Sequence, residues 1–322
     1  MIEVFKFKPE HVVNAAKLFV EGYKRLGKTY LDLPSKYGDL YFVGSKLVNI
    51  IKENPSFVAV RNGELIGYLT GFANIPSLKG RSMGVYIPEW AHGSINTKDK
   101  EKIYSKLYSH LSKIWIAEKN YTHLITYYGE DVKLNAQFHK FGFGLLVIDG
   151  YRTLTPLKIN DNPAFYIRQA KKEDLRILSH FNELIYKHLR DAPTFLYSSP
   201  SQKSLEEIEK NFLGSNRITF VAEHEGKIVS IIRAMLNEGP GCEVVQDTGT
   251  LGVNFGYTLP EMRGSGIASL VLNKLIEWGK KNDMKRCVVD FESQNIEAYN
   301  FWLRYFQPIC YSGIRKIDDR IE

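Results

Sequence analysis

Cysteine is scarce: Cys242, Cys287 and Cys310 are the only three in 322 residues, far apart and odd in number. Such a set makes no disulfide framework and has the spacing of no zinc motif, so the expectation is a reducing compartment, the cytoplasm, and no metal. Long apolar runs are missing too. No stretch of about eighteen apolar residues occurs, which argues against a membrane-spanning helix. The opening Met1-Ile2-Glu3-Val4-Phe5-Lys6 lacks the apolar centre of a signal peptide. There is also no block of basic residues. Lys and Arg number 43 against 36 Asp and Glu, a net charge of +7, but they are scattered along the chain. That distribution describes solvated surface with some attraction for phosphates, and it makes nucleic acid an unlikely partner. Nothing here specifies an oligomeric state.

What the chain does have is apolar residues, 44% of the total, and aromatics at 13%, enough for two cores. An internal repeat supports that count. Phe57-Val58-Ala59-Val60-Arg61-Asn62-Gly63-Glu64-Leu65-Ile66 reads as two strands joined by an Asn-Gly turn. Phe220-Val221-Ala222-Glu223-His224-Glu225-Gly226-Lys227-Ile228-Val229 repeats the pattern at an offset of 163 (220 − 57). At that same offset Ile2, Val4, Lys8, Glu10 and Val12 match Phe165, Ile167, Lys171, Glu173 and Leu175. The chain is therefore expected to hold two copies of one fold, residues 1–160 and 161–322, joined near Asn160-Asp161-Asn162-Pro163.

The stretch with most chemical content is Pro260-Glu261-Met262-Arg263-Gly264-Ser265-Gly266-Ile267-Ala268. An apolar strand from Leu251 to Tyr257 precedes it, and a helix with Leu270, Val271, Leu275 and Trp278 near helical spacing follows. A glycine-rich turn entering a helix suits a phosphate. Gly264 and Gly266 have no Cβ to keep ligand oxygens away, and the first N–H groups of a helix have no partner within it. Arg263 adds a charged donor. The turn lacks the Lys-Ser/Thr of a P-loop and the three-glycine spacing of a dinucleotide fold. Downstream come a strand, Arg286-Cys287-Val288-Val289-Asp290-Phe291-Glu292, and a short helix, Asn295-Ile296-Glu297-Ala298-Tyr299-Asn300-Phe301-Trp302.

This order of strand, Arg-x-x-Gly-x-Ala turn, helix, strand and Asn-x-x-Ala helix resembles the GCN5-related N-acetyltransferase (GNAT) superfamily, from Phe165 to about Asp318. The resemblance implies an α/β (α+β) protein of two tandem GNAT-like domains, each a mixed, mostly antiparallel twisted sheet flanked by helices. It implies acetyl-CoA as co-substrate, with its pyrophosphate on Arg263, Gly264, Ser265, Gly266, Ile267 and Ala268. The pantetheine arm would lie between two splayed strands, along Phe255, Gly256, Tyr257 and Thr258, with Asn295 and Trp302 on the neighbouring helix.

The first copy departs from that pattern. Where the second has Arg263 to Ala268, it is expected to have Ala91-His92-Gly93-Ser94-Ile95-Asn96, without the arginine and with one glycine. Its last helix carries Asp131, Leu134 and Phe138 in place of Asn, Ala and Tyr. It reads as a degenerate domain that kept the fold and lost the cofactor grip. Trp90 and His92 read as a packed aromatic and an ordinary turn histidine, the alternative being that they line a cleft. In the second copy Asp191-Ala192-Pro193-Thr194-Phe195-Leu196-Tyr197-Ser198-Ser199-Pro200 falls where the family closes over its acceptor.

A thioester is an activated donor, so the protein's problem is the acceptor, whose amine is about 0.1% neutral at pH 7 for a pKa near 10. Many relatives place a carboxylate on the fourth strand as base. Thr250-Leu251-Gly252-Val253-Asn254-Phe255-Gly256-Tyr257 carries none, leaving Asp290 and Glu292 as the alternatives. The family's proton-donating tyrosine falls at Trp302, whose indole N–H is no proton source in water, and Tyr299 and Tyr305 flank it. The favoured function is acetyl transfer to a primary amine of a small molecule or peptide by direct attack in the C-terminal domain. The alternative is a non-catalytic acyl-CoA-binding sensor or scaffold protein.

Overall fold

The computed structural model describes residues 1–197 and 203–321. Its elements in chain order begin with β1 (Glu3–Lys6), α1 (Val12–Leu26), α2 (Leu40–Glu53), β2 (Ser56–Arg61), β3 (Glu64–Thr70), β4 (Phe72–Ile75), β5 (Met83–Ile87) and β6 (His92–Ser94). There follow α3 (Lys100–Ala117), β7 (Asn120–Tyr128), α4 (Val132–Lys140), β8 (Gly144–Thr153), β9 (Tyr166–Gln169), α5 (Leu175–Arg190) and α6 (Leu205–Leu213). The last are β10 (Arg217–His224), β11 (Lys227–Leu236), β12 (Thr250–Thr258), α7 (Ile267–Lys281), β13 (Arg286–Glu292), α8 (Ile296–Trp302) and β14 (Gln307–Lys316). This is the expected mixed α/β protein with two copies of one arrangement.

The repeat extends to backbone detail. β1 and β9 start and end at the same offset, 163 (166 − 3), as do the starts of α1 and α5 (175 − 12). Both hairpins turn through two residues with positive φ, Asn62-Gly63 and Glu225-Gly226, the geometry that matches the twist of paired strands. Both also carry a β-bulge at the same place. Ala59 pairs with Gly67 and Val60 with Leu65, while Ala222 pairs with Ser230 and Glu223 with Ile228. Ile66 and Val229 are thus the extra residues of equivalent bulges.

The compact units divide the chain differently from the sequence copies. One unit comprises residues 1–149, 242–244 and 308–322, the other 150–241 and 245–307. In the first unit β1-β2-β3-β6 form one sheet, and a second sheet runs β4-β5-β7-β14-β8. The last strand of the chain completes this unit by antiparallel pairing with β7, from Cys310↔Tyr128 to Lys316↔Thr122.

In the second unit the strand order is β13-β12-β11-β10-β9. β9 to β12 are antiparallel neighbours, and β13 runs parallel to β12. α5 and α6 cover one core, where Leu178, Phe181, Ile208 and Phe212 pack with Val221, Ile231 and Phe255. α7 buries Ile267, Leu270, Val271, Leu275 and Ile276 and packs across β10, β11 and β12. Hydrophobic residues at helical spacing on α7 and continuous buried runs on β10 and β11 produce this layering.

Phe212 is fully buried, its ring edge-on to Phe255 at 5.0 Å and under the Arg233 guanidinium at 4.6 Å. Phe212→Ala is expected to cost about 3–5 kcal/mol by leaving a cavity and removing these contacts. Urea unfolding measures this; a loss below about 1 kcal/mol would mean the site collapses without penalty.

Candidate functional site

In the second unit β12 is bonded to different neighbours along its two halves. Thr250 to Val253 pair in parallel with Arg286 to Val289, and there the pairing with β13 ends. β12 nevertheless continues to Thr258 against β11, with Phe255↔Arg233 and Thr258↔Ser230. Between these halves the register shifts, so that Asn254 is the extra residue of a bulge. Its side chain accepts from Arg233 Nε at 3.0 Å. Beyond Val253 the two parallel strands separate, and the β12 edge from Phe255 to Thr258 faces a wedge, not a ladder. Part of that wedge is closed by Trp302 of α8. Gly256 makes its approach possible: a Cβ there would stand 3.2 Å from the indole Cζ2.

At the end of β12 a short 3₁₀ turn, Pro260–Met262, leads to Gly264 and Gly266, with φ of +80° and +84°. Both angles are costly for a side-chain-bearing residue, so glycine is required to lay this turn down. A Cβ at either position would meet nothing within 4 Å. Gly266 is the N-cap of α7 and offers no capping side chain. Among the described residues, the N–H groups of Gly264, Gly266 and Ala268 reach no protein acceptor, while Ile267 N–H touches Ser265 Oγ only at 3.5 Å. Three unsatisfied donors thus stand at the positive end of a helix, behind glycines that leave open space, an arrangement that favours an anion.

An open groove of ≈ 400 Å³ connects this turn with the wedge. Gly256, Tyr257 and Thr258 form one wall, the turn and the start of α7 a second, and α8 a third. Arg263 stands at its edge, with Nε on Thr258 O at 3.3 Å and Nη1 on Glu297 Oε1 at 3.3 Å. This ion pair is solvent-exposed and weak, so Arg263 can exchange Glu297 for another anion. Asn295, 8% exposed, caps α8 by accepting from Ala298 N–H at 3.1 Å and also lines the groove.

The expected catalytic groups are distributed unevenly. Tyr305 lies just beyond α8 and shares a 2.7 Å hydrogen bond with Ser269 Oγ, a groove-lining hydroxyl. Tyr299 is 42% exposed, sits edge-on to Phe291 at 6.4 Å and does not line the groove. Asp290 and Glu292 lie on β13 past its last pairing with β12, and neither lines the groove. Three ionisable side chains that sequence reasoning left out do line it: His188 of α5, Glu297 and Arg304. His188 Nε2 is 4.0 Å from Glu297 Oε2, and its ring is edge-on to Tyr257 at 6.2 Å. Only its place on the helical face of Ile185 could have marked it. Of the proline-containing segment after α5, Phe195 and Tyr197 are exposed, while Ser198, Ser199 and Pro200 lie outside the described residues.

Residues 182–306 match the sequence profile of the Acetyltransferase (GNAT) family. This segment is a GNAT domain. Over the whole chain the fold is similar to that of a GCN5-related N-acetyltransferase from Sphaerobacter thermophilus, at 13% identity and a TM-score of 0.57, covering 98% of this chain and 95% of that one. It is similar also to a GCN5-related glucosamine N-acetyltransferase region of a fungal multi-domain beta-N-acetylglucosaminidase, at 12% identity and a TM-score of 0.53, covering 98% of this chain and 38% of that one. A tandem GNAT protein from the clavulanic acid biosynthesis pathway shares 11% identity over 98% of each chain, with a TM-score of 0.49. At these identities the likeness is one of fold. No curated protein sequence matches the chain. No helix among the described residues is long and apolar enough to cross a membrane.

In the first unit the corresponding region is built otherwise, and one expectation needs correcting. Ala91 to Asn96 is not the turn before the helix, because His92–Ser94 form β6 and pair with Gly67 to Leu69 of β3. The residues leading into α3 are Ile95 to Asp99, with no glycine. This helix start has Asp99, which makes no capping bond and is paired with Arg61 at 3.0 Å, and Lys100, paired with Asp131 at 2.6 Å. Side-chain ion pairs occupy this helix start, so its cations are already engaged by Asp99 and Asp131. Asp131 caps α4 through Leu134 N–H at 3.2 Å, as Asn295 caps α8, and Phe138 is fully buried.

The cavity left there is only ≈ 50 Å³. His92 lines it, but both ring nitrogens are bonded, Nδ1 to Tyr104 Oη and Nε2 to Thr126 O, each at 2.9 Å. Trp90 is 2% exposed. Burial lowers His92 to about 4, and His123, bonded to Tyr108 Oη, likewise to about 4. Both histidines are depressed below their unfolded value of about 6.5, so the unfolded chain binds protons first as pH falls. Stability is expected to hold above about pH 6.5 and to be lost between there and about pH 4, by up to about 1.4 kcal/mol per pH unit for each histidine. Urea unfolding across that range measures it, and a flat profile would contradict the assignment of two buried neutral imidazoles.

Proposed function

We propose that the chain is an acetyl-CoA-dependent N-acetyltransferase whose C-terminal GNAT domain binds the coenzyme and acetylates a primary amine of a small molecule or peptide. One observation carries this reading: the unsatisfied N–H groups of Gly264, Gly266 and Ala268 at the start of α7, opening on a groove that runs to the split between β12 and β13. The residues fit the group. A diphosphate accepts from the turn amides, with Arg263 available from the rim. The wedge beside Phe255 to Thr258 has backbone donors and acceptors free of a β13 partner, and an extended pantetheine amide chain pairs with such an edge.

The coenzyme supplies an activated acyl group, and the remaining tasks fall to the chain's own residues. Backbone N–H groups along the unpaired edge of β12 are positioned to stabilise negative charge developing on the acyl oxygen. Ser269 and Tyr305 form a hydroxyl pair at the groove wall, through which a proton can be handed to a departing thiolate. His188 lines the groove with Glu297 beside its Nε2, so an acceptor ammonium could lose its proton there. Asp290 and Glu292 could act only through intervening water, as neither lines the groove. Phe195 and Tyr197, exposed after α5, are placed in sequence where the family closes over its acceptor. The degenerate N-terminal copy contributes fold without a coenzyme turn.

The second reading, an acyl-CoA-binding sensor or scaffold without turnover, is favoured by Trp302 in the tyrosine position and by the absence of a carboxylate on β12. Two measurements separate the possibilities. Isothermal titration with CoA is expected to show binding to the wild-type chain and none to Gly266→Trp; equal affinities would overturn the coenzyme site. Amines screened with acetyl-CoA and a free-thiol readout are expected to give steady release above hydrolysis. Binding without release from any amine would favour the sensor.

A further inference from the structure

The coenzyme groove leaves a second cluster of chemically active side chains unused. In the first unit Asp149 of β8, Cys310 of β14 and Cys242 of the segment 242–244 converge, with one donor atom of each within 4.8 Å of the other two. They come from three distant parts of the sequence, and their exposures are 3%, 0% and 1%. The Asp149 carboxylate also accepts from Cys242 N–H at 3.2 Å, which fixes the backbone of the segment against it.

A second carboxylate stands nearby. Glu89 is 2% exposed, and one of its oxygens accepts from Val244 N–H at 2.7 Å. Its other oxygen is buried without a hydrogen-bond partner among the described residues. Burial raises Glu89 to about 7. The neighbouring cation, Lys46, is already committed to Glu243 at 2.6 Å and to the face of Trp90 at 4.3 Å. Two carboxylates and two thiols thus share a dry region, with one Glu89 oxygen left unpaired. Buried acids are ordinarily paired with a cation or coordinate a metal.

We propose that Cys242, Cys310 and Asp149 form a binding site for one divalent cation of the zinc class, closing the first unit around residues distant in sequence. Two thiolates and a carboxylate are donors that a borderline cation accepts and that magnesium or calcium does not favour. In a tetrahedral zinc site with Zn–S near 2.3 Å the donor atoms lie about 3.8 Å apart, so the present cluster closes by side-chain shifts of about 1 Å. On binding, the ion takes the place of the thiol protons, which leave to solvent, and the fourth position goes to water. The spacing 242 to 310 matches no sequence motif, which is why the cysteines suggested no metal: the site is assembled by β14 adding to β7 and by the segment 242–244 docking on β8.

The full-length chain, purified, stripped with a chelator and kept reduced, is the material for the test. Titration with Co²⁺ is expected to give thiolate-to-metal charge-transfer absorption saturating at one ion per chain, with Zn²⁺ displacing it and raising the urea midpoint. Cys310→Ser and Asp149→Asn are expected to lose most of the absorption while keeping the circular dichroism of the wild type. If a variant fails to fold, the wild-type stoichiometry and its displacement by Zn²⁺ still decide. The proposal is overturned if the wild-type chain shows no stoichiometric charge-transfer band. It is equally overturned if Cys287→Ser abolishes the band and Cys310→Ser does not, or if the isolated protein holds Cys242 and Cys310 only as a disulfide that excludes the metal.

Discussion

Backbone amides left without partners at the start of α7 are the constraint around which the second unit is organised. A buried N–H without an acceptor is costly, so a fold keeps such groups only where solvent or a ligand can meet them. Here Gly264 and Gly266 keep the position open, both by adopting positive φ and by placing no side chain in front of the amides. Everything that fixes those amides is conventional core. α7 is seated on β10 to β12 by Leu270, Val271, Leu275 and Ile276, and the turn is held at the end of a strand that has just left its parallel neighbour. The separation of β12 from β13 is the second half of the same device, because it frees a strand edge beside the turn.

The two copies show how little must change for such a device to disappear. The first strand, the hairpin with its bulge and the start of the first helix are retained at one offset, so the hydrophobic pattern there has been kept. At the start of α3, however, the approach has no glycine, and Asp99 and Asp131 engage the cations Arg61 and Lys100. The fourth strand of this copy is interrupted as well: β5 pairs with β7 and β6 with β3, with Pro88 to Ala91 between them. What is one continuous strand with two partners in the second unit is two strands here. Glu89 and Trp90 are consequently buried in the first unit.

Much of this was legible in the sequence. The Asn62-Gly63 and Glu225-Gly226 turns fix the hairpin geometry locally, and the offset between them exposes the duplication. Gly264 and Gly266 before an apolar helix mark the open turn for the same local reason. Features depending on long-range pairing were not legible. Ala91 to Asn96 contains a glycine and precedes a helix, yet the β3 ladder claims it as a strand. His188 enters the groove from a helix about eighty residues upstream of the turn, and only packing decides which residues of α5 face Tyr257. The placing of β14 beside β7, which brings Cys310 towards Asp149, likewise has no local signal.

The central claim is that particular backbone amides grip a diphosphate, and NMR of those amides tests it most directly. With ¹⁵N-labelled protein, addition of CoA is predicted to shift the amide resonances of Gly264, Gly266 and Ala268, while pantetheine lacking the diphosphate leaves them nearly unchanged. Coenzyme binding that moved resonances elsewhere and left these three in place would contradict the account.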